Sequence, residues 1–187
     1  MKRCELTRRS FLFLRHGESD WNREGRCVGQ ADRPLTALGR RQAEAARAFC
    51  AVTNLTVFHS PLIRAAETAR IIARGTAWRL IPENGLMEAC LGDKEGRPET
   101  DAADDFIARW FAGGTIANAE LYADFRARIV QAVNCCLAAE GAALVVAHSA
   151  AYAALSDTTG HGVGEIDHCA PCRFMPSPDG WTIAPIV

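Results

Sequence analysis

Apolar residues in this 187-residue chain come either in short unbroken runs or at every third or fourth position, and the two patterns alternate. That alternation predicts strands interleaved with helices. Ser10-Phe11-Leu12-Phe13-Leu14 is the first run and reads as a buried strand. After a polar loop, Thr36 is placed to cap a helix reaching about Cys50, with Leu38, Ala45, Ala46 and Phe49 on its apolar stripe. Leu55 to His59 predicts a second strand. Ser60-Pro61 then reads as an N-cap with proline at the first helical position, and Gly75 as the end of that helix. Trp78 to Ile81 predicts a third strand. The acidic segment from Asp93 to Asp105 leads into a short helix ending near Gly113-Gly114, and Leu121 to Glu140 forms a long amphipathic helix. Ala143 to Ala147 reads as a fourth strand. Arg173 to Pro176 and Trp181 to Ala184, joined by Ser177-Pro178-Asp179-Gly180, form a closing hairpin.

Strands that alternate with helices argue for an α/β domain with a largely parallel sheet. No repeat or linker splits the chain, so a single domain over residues 1–187 is expected, and 49% hydrophobic content is enough to bury a core. No stretch approaches the roughly 20 apolar residues of a membrane span, which predicts a soluble protein with no membrane partner. Thr7-Arg8-Arg9-Ser10-Phe11-Leu12 has the look of a twin-arginine export signal, but its apolar run ends after four residues at Arg15. A signal needs roughly 7 to 15, so the segment is read as a core strand and the protein as cytoplasmic.

Net charge is only -1 but unevenly spread: residues 1–79 hold 15 Lys+Arg against 7 Asp+Glu, and residues 80–187 hold 6 against 15. The arginines form no basic run with interleaved aromatics, which argues against nucleic acid and for a small anionic ligand. Eight cysteines are dispersed along the chain, the pattern of reduced cytosolic thiols. Cys169-Ala-Pro-Cys172 has metal or redox spacing but lacks a second ligand pair, so it is read as a loop before a late strand.

Three candidate segments fall at the carboxyl ends of predicted strands: Arg15-His16, Ser60 to Arg64, and His148. Open α/β sheets bind ligands along that edge. Two arginines and two histidines there compose an oxyanion pocket. Arg64 would lie in the first turn of a helix, where the dipole disfavours a cation, so an anion ligand explains it better than the surface does.

The motifs Leu14-Arg15-His16-Gly17-Glu18-Ser19, Trp21-Asn22, Asp32-Arg33-Pro34-Leu35-Thr36-Ala37-Leu38-Gly39 with Gln42-Ala43, Ser60-Pro61-Leu62-Ile63-Arg64-Ala65-Ala66-Glu67-Thr68-Ala69, Leu86-Met87-Glu88 and Val146-Ala147-His148 follow one another in that order. Together they resemble the histidine phosphatase (phosphoglycerate mutase-like) superfamily, in the branch with the Arg-His-Gly-Glu motif. The resemblance implies a three-layer α/β/α sandwich with a mostly parallel central sheet. It implies that His16 is a nucleophile that becomes phosphohistidine, that Arg15, Arg64 and His148 bind the phosphoryl group, that Asn22 helps hold it, and that Glu88 is general acid and base. Where the family often has His-Gly, this chain has His148-Ser149-Ala150, so Ser149 keeps the phosphate-binding amide with added bulk. Lys94 stands where an aromatic residue is frequent, either at the pocket mouth or in solvent.

The chemistry fits these residue types. Histidine must be neutral to attack phosphorus, and two guanidinium groups disfavour its protonated form while attracting a phosphate dianion. They also spread the charge that builds on the equatorial oxygens during transfer. Glu88, among Leu86, Met87 and Leu91, can hold a proton near neutral pH for an alkoxide leaving group. The expected activity is therefore a metal-independent phosphomonoesterase, with no cofactor, acting on a small phosphorylated substrate: a sugar phosphate, a nucleotide-like phosphate such as α-ribazole phosphate, or a phosphoprotein. Phosphoglycerate mutase is the enzymatic alternative, and a silent phosphate-binding protein is the non-enzymatic one. A homodimer is left open. His59 is read as a pocket-rim or strand-end residue, and His161 and His168 are given no role.

Overall fold

Strand β1 (Phe11–Arg15) divides the apolar residues between two cores: Phe11 and Phe13 enter one, Leu12 and Leu14 the other. Alternate residues of a strand point to opposite faces, so an unbroken apolar run must be covered on both. The computed structural model describes residues 5–49, 55–99 and 105–186. It shows one six-stranded sheet in the order β3-β2-β4-β1-β5-β6, where β2 is Leu55–His59, β3 Arg79–Pro82, β4 Ala142–Ala147, β5 Pro171–Ser177 and β6 Gly180–Pro185. The first four strands run parallel. The last two, joined by the tight turn read from Ser177 to Gly180, add antiparallel.

Helices α2 (Ala37–Ala46) and α3 (Ile63–Ile72) cover one face, burying Ala43, Ala46, Ala65, Ala69 and Ile72. Helices α4 (Phe106–Phe111), α5 (Tyr122–Ala138) and α6 (Ser149–Thr158) cover the other with Phe106, Trp110, Phe125, Ile129, Ala154 and Leu155. The result is the expected three-layer α/β/α domain. A one-turn helix α1 (Asp20–Arg23), held by a Ser19–Asn22 capping box, interrupts what reads as plain polar loop. Helix α6, unassigned from the sequence, follows β4 directly. Among the described residues no helix is long and apolar enough to cross a membrane.

Two sequence expectations need correction. Helix α3 starts at Ile63 rather than after Ser60, and its cap position, Leu62, offers no side-chain acceptor. Ser60 Oγ instead accepts from the Leu62 amide at 3.3 Å, and Asp32 Oδ1, from a distant loop, accepts from the Ile63 amide at 2.6 Å. The buried stripe of α2 is Gly39, Ala43 and Ala46, whereas Leu38 is 43% exposed and Ala45 is exposed too. The Phe49 side chain and Cys50 lie outside the described residues; the helix gives way to a 3-10 turn at Arg47–Phe49.

The small-residue stripe has a steric cause. A Cβ on Gly17 would lie 2.3 Å from the Gly39 carbonyl oxygen, and one on Gly39 would lie 2.1 Å from the Glu18 carbonyl oxygen. Backbone meets backbone there, which fixes the loop after β1 against the start of α2. Gly17→Ala and Gly39→Ala should each destabilise the fold by about 1–3 kcal/mol in urea unfolding, the range for overpacking. Leu38→Ala should stay within about 0.5 kcal/mol, as an exposed site does.

Candidate active site

Because β1, β2 and β4 are parallel neighbours, the residues that follow them emerge along one sheet edge, with Arg15 in register with Ala147 and His59 with Val146. Buried His16 continues that pairing, its amide donating to the Ala147 carbonyl at 3.0 Å.

The His16 ring is held at both nitrogens. Nδ1 lies 2.7 Å from the Gly17 carbonyl oxygen, which can only accept, so Nδ1 carries the proton. Nε2 lies 3.1 Å from Arg64 Nε, which can only donate, so Nε2 presents a lone pair. The two constraints give the same tautomer. Burial, then the charges of Arg64 and Arg15, push the imidazole pKa well below its ordinary value. His16 is thus a neutral ring with its lone pair at Nε2.

Arg64 is fully buried. Its NH1 donates to the Ala31 carbonyl at 2.9 Å and its NH2 to the Gly29 carbonyl at 2.7 Å, so the guanidinium also pins the loop ahead of α2. Burial lowers its pKa to about 10, and the charge of Glu88 opposes that. It remains a cation at neutral pH. Thr68, one turn further along α3, donates to the Arg64 carbonyl at 2.7 Å and accepts from the Gly17 amide at 3.1 Å, joining α3 to the histidine loop.

Glu88 is 8% exposed, and its carboxyl oxygens accept from the amides of Ala89 at 3.0 Å and Ala150 at 3.3 Å. Burial raises its pKa against the pull of those amides and of Arg64 and Arg15. Gln30 and Arg128 hold its backbone carbonyl, at 3.0 and 3.4 Å. Asn22 keeps its Oδ1 on the Ser19 amide and hydroxyl, at 3.1 and 2.7 Å, so its NH2 is the group able to donate outward. Arg15, His16, Asn22, Arg64, Glu88 and Ser149 all line one cavity of about 1080 Å³.

His148 occupies the N-cap position of α6 without a side-chain capping bond and is fully buried, its ring 5.1 Å from the His16 ring and edge-on at 64°. His168, given no role from the sequence, sits with its ring 5.7 Å from that of His16, and burial with the charge of Arg15 lowers its pKa to about 4. The antiparallel return of β5 brings it there, a long-range event that no local motif marks. Lys94 is not in the cavity lining; its Nζ sits 4.7 Å over the Phe106 ring. His59 turns Nδ1 to the Ser60 carbonyl at 2.8 Å, a strand-end contact. Cys172 is a buried β5 residue paired with Phe13, its thiol pushed up to about 12 by burial, and buried Cys169 precedes the strand.

Among the described residues, the buried side-chain nitrogens and oxygens without a hydrogen-bond partner are Arg15 Nε, both ring nitrogens of His148, and His168 Nε2. All four are nitrogens and all belong to residues around His16. Buried polar groups left unpaired cost about 1–3 kcal/mol each, so such a cluster points to a ligand rich in acceptors.

A doubly covered parallel sheet with an oxyanion-accepting pocket at its carboxyl edge describes the class. The chain belongs to the histidine phosphatase superfamily (branch 1), whose sequence model matches residues 11–183, and it is an enzyme of that superfamily. It is 32% identical over 156 residues, 79% of this chain and 73% of the relative, to "Probable phosphoglycerate mutase GpmB" of Yersinia enterocolitica. It is 38% identical over 99 residues to "Fructose-2,6-bisphosphatase TIGAR" of Xenopus laevis, covering 50% of this chain and 36% of that protein. Among solved structures it resembles a mycobacterial glucosyl-3-phosphoglycerate phosphatase complexed with VO3, at 27% identity and a TM-score of 0.81, covering 95% of this chain and 98% of that one.

Arg64→Leu removes three buried donors together, and should cost about 2–4 kcal/mol of stability in urea unfolding. It should also raise the His16 pKa measured by NMR titration, since a neighbouring positive charge is lost. An unchanged His16 pKa would contradict the Arg64–His16 contact.

Proposed function

We propose that this chain is a metal-independent phosphomonoesterase of the cytoplasm that passes the phosphoryl group of a small substrate through His16. The observation that carries this is the set of unpartnered buried nitrogens of Arg15, His148 and His168 around a histidine whose Nε2 is unprotonated, its lone pair held by Arg64 Nε and released to phosphorus when that contact opens. A phosphoryl group supplies acceptor oxygens to Arg15 Nε and to the one N–H that each neutral imidazole carries, and an electrophile to that lone pair.

His16 Nε2 attacks phosphorus in line with the departing ester oxygen, forming the N–P bond as the P–O bond breaks. Arg15, Arg64 and His148, with the Asn22 NH2 and the Ser149 amide, take the charge on the equatorial oxygens, a geometry that lowers the barrier because the donors are fixed in advance. His168, given no role from the sequence, adds a further ring nitrogen near His16. Glu88, whose protonated form burial favours, gives its proton to the leaving alkoxide. As a carboxylate it then takes a proton from water, whose oxygen attacks the phosphohistidine and restores the free ring. Neither a nucleic acid nor a second subunit is needed for these steps, and two arginines already supply the positive charge that a metal would.

Mutase activity is the second reading, favoured by the name of the Yersinia enterocolitica relative. The phosphoenzyme is the same, and only the acceptor differs: water or a phosphoglycerate.

Phosphate release from a panel of monoesters, with and without EDTA, tests the assignment: turnover should persist with chelator, and its loss with recovery on a divalent ion would refute metal independence. Glu88→Gln should lower turnover of alkyl phosphates by about 10²- to 10⁴-fold, and of an activated aryl phosphate by far less, because only a poor leaving group needs the proton. Since Glu88 acts protonated and its pKa is raised, wild-type turnover of alkyl phosphates should fall as pH rises through that value. The variant should lack that limb. Equal losses on both substrates would exclude Glu88 as the acid.

A further inference from the structure

Beyond the reacting groups, the charged residues lining the cavity are Arg26, Glu99, Asp105, Glu165 and Asp167. Arg26 is already paired, its Nε 2.9 Å from Glu24 Oε2, and Asp105 spends an oxygen capping α4 through the Ala108 amide at 3.0 Å. Glu99, Glu165 and Asp167 are in no ion pair among the described residues, and all three act electrostatically on Arg15. The apolar part of the lining includes Ile107 and Phe111 of α4 and, beside Glu165 and Asp167 in the loop before β5, Val163 and Ile166.

This lining opposes the ligand it surrounds. Carboxylates around a phosphate-binding arginine weaken its hold on a dianion, and they repel any second anionic group on the same molecule more strongly still. The penalty reverses for a ligand that brings positive charge to the same place. The methyl and methylene groups of an alkylammonium body also suit the apolar lining that Ile107, Val163 and Ile166 supply. Building on the phosphomonoesterase assignment above, we propose that the substrate is the phosphate monoester of an alcohol bearing an amine or quaternary ammonium group and no second anionic group. The phosphate enters between Arg15 and Arg64, and the cationic end faces Glu99, Glu165 and Asp167. The preference separates this chain from relatives whose names carry phosphoglycerate and a sugar bisphosphate.

Steady-state kinetics on four probes at low ionic strength test this: choline phosphate, propyl phosphate, 3-phosphoglycerate and p-nitrophenyl phosphate. Choline phosphate should exceed propyl phosphate in kcat/KM by about tenfold, with 3-phosphoglycerate below both, and the spread should shrink in 0.5 M NaCl as screening sets in. The double variant Glu165→Gln, Asp167→Asn should move the two charged substrates in opposite directions, lowering kcat/KM for choline phosphate and raising it for 3-phosphoglycerate. Turnover of 3-phosphoglycerate equal to or above that of choline phosphate would overturn the proposal, as would a variant that shifts both substrates alike. No hydrolysis of p-nitrophenyl phosphate would instead fail the phosphomonoesterase assignment, and this proposal with it.

Discussion

The His16 ring, clamped between the Gly17 carbonyl on one nitrogen and Arg64 Nε on the other, is the constraint on which the rest of the site depends. One bond fixes the proton on Nδ1, and the other, accepted from Arg64 Nε, leaves Nε2 as the unprotonated nitrogen. Both partners are themselves held. Arg64 is braced by the Gly29 and Ala31 carbonyls, and the Gly17 amide is bound to Thr68 of the same helix. Gly17 also abuts Gly39 so closely that no side chain fits between them, which ties the loop to α2. Preorganisation is thus spread over β1, α2 and α3, and the parallel sheet brings those elements to one edge.

Burial then sets the protonation states in opposite senses with a single physical effect. Desolvation penalises charge, so it keeps His16 neutral and pushes the Glu88 carboxyl up towards its protonated form, the directions that a nucleophile and a general acid require. The neighbouring arginines reinforce the first shift and oppose the second. Glu88 stays raised because it is deeply buried, although two backbone amides favour its ionised form. Leu86 and Leu91, close to it in sequence, are buried as well.

The sheet was legible in the sequence because its central strands are unbroken apolar runs: Phe11–Arg15, Leu55–His59 and Ala142–Ala147 lie within about a residue of where the pattern puts them. Arg15, His16 and Arg64 were legible because a short motif after a strand end lands on the sheet edge, Glu88 came with the family resemblance, and all four share a cavity. What stayed hidden depends on contacts between distant segments. Asp32 rather than Ser60 meets the first amide of α3, and only the folded loop brings it there. Leu38 reads as core, but the face of α2 that packs is the glycine-alanine one, chosen by the Gly17–Gly39 approach. His168 has no motif around it and reaches His16 through the return of the chain into β5. Lys94 sits against Phe106 rather than in the cavity lining, a pairing across 12 residues that periodicity does not encode.

The most direct test of this arrangement is the identity of the phosphorylated nitrogen. With 15N-labelled histidine, the phosphoenzyme is trapped by rapid alkaline quench, digested, and read by 31P–15N coupling. The clamp predicts one acid-labile phosphohistidine, at position 16, bonded through Nε2, and no label in His16→Ala. Phosphate on Nδ1, on another residue, or on no histidine during turnover would contradict the account.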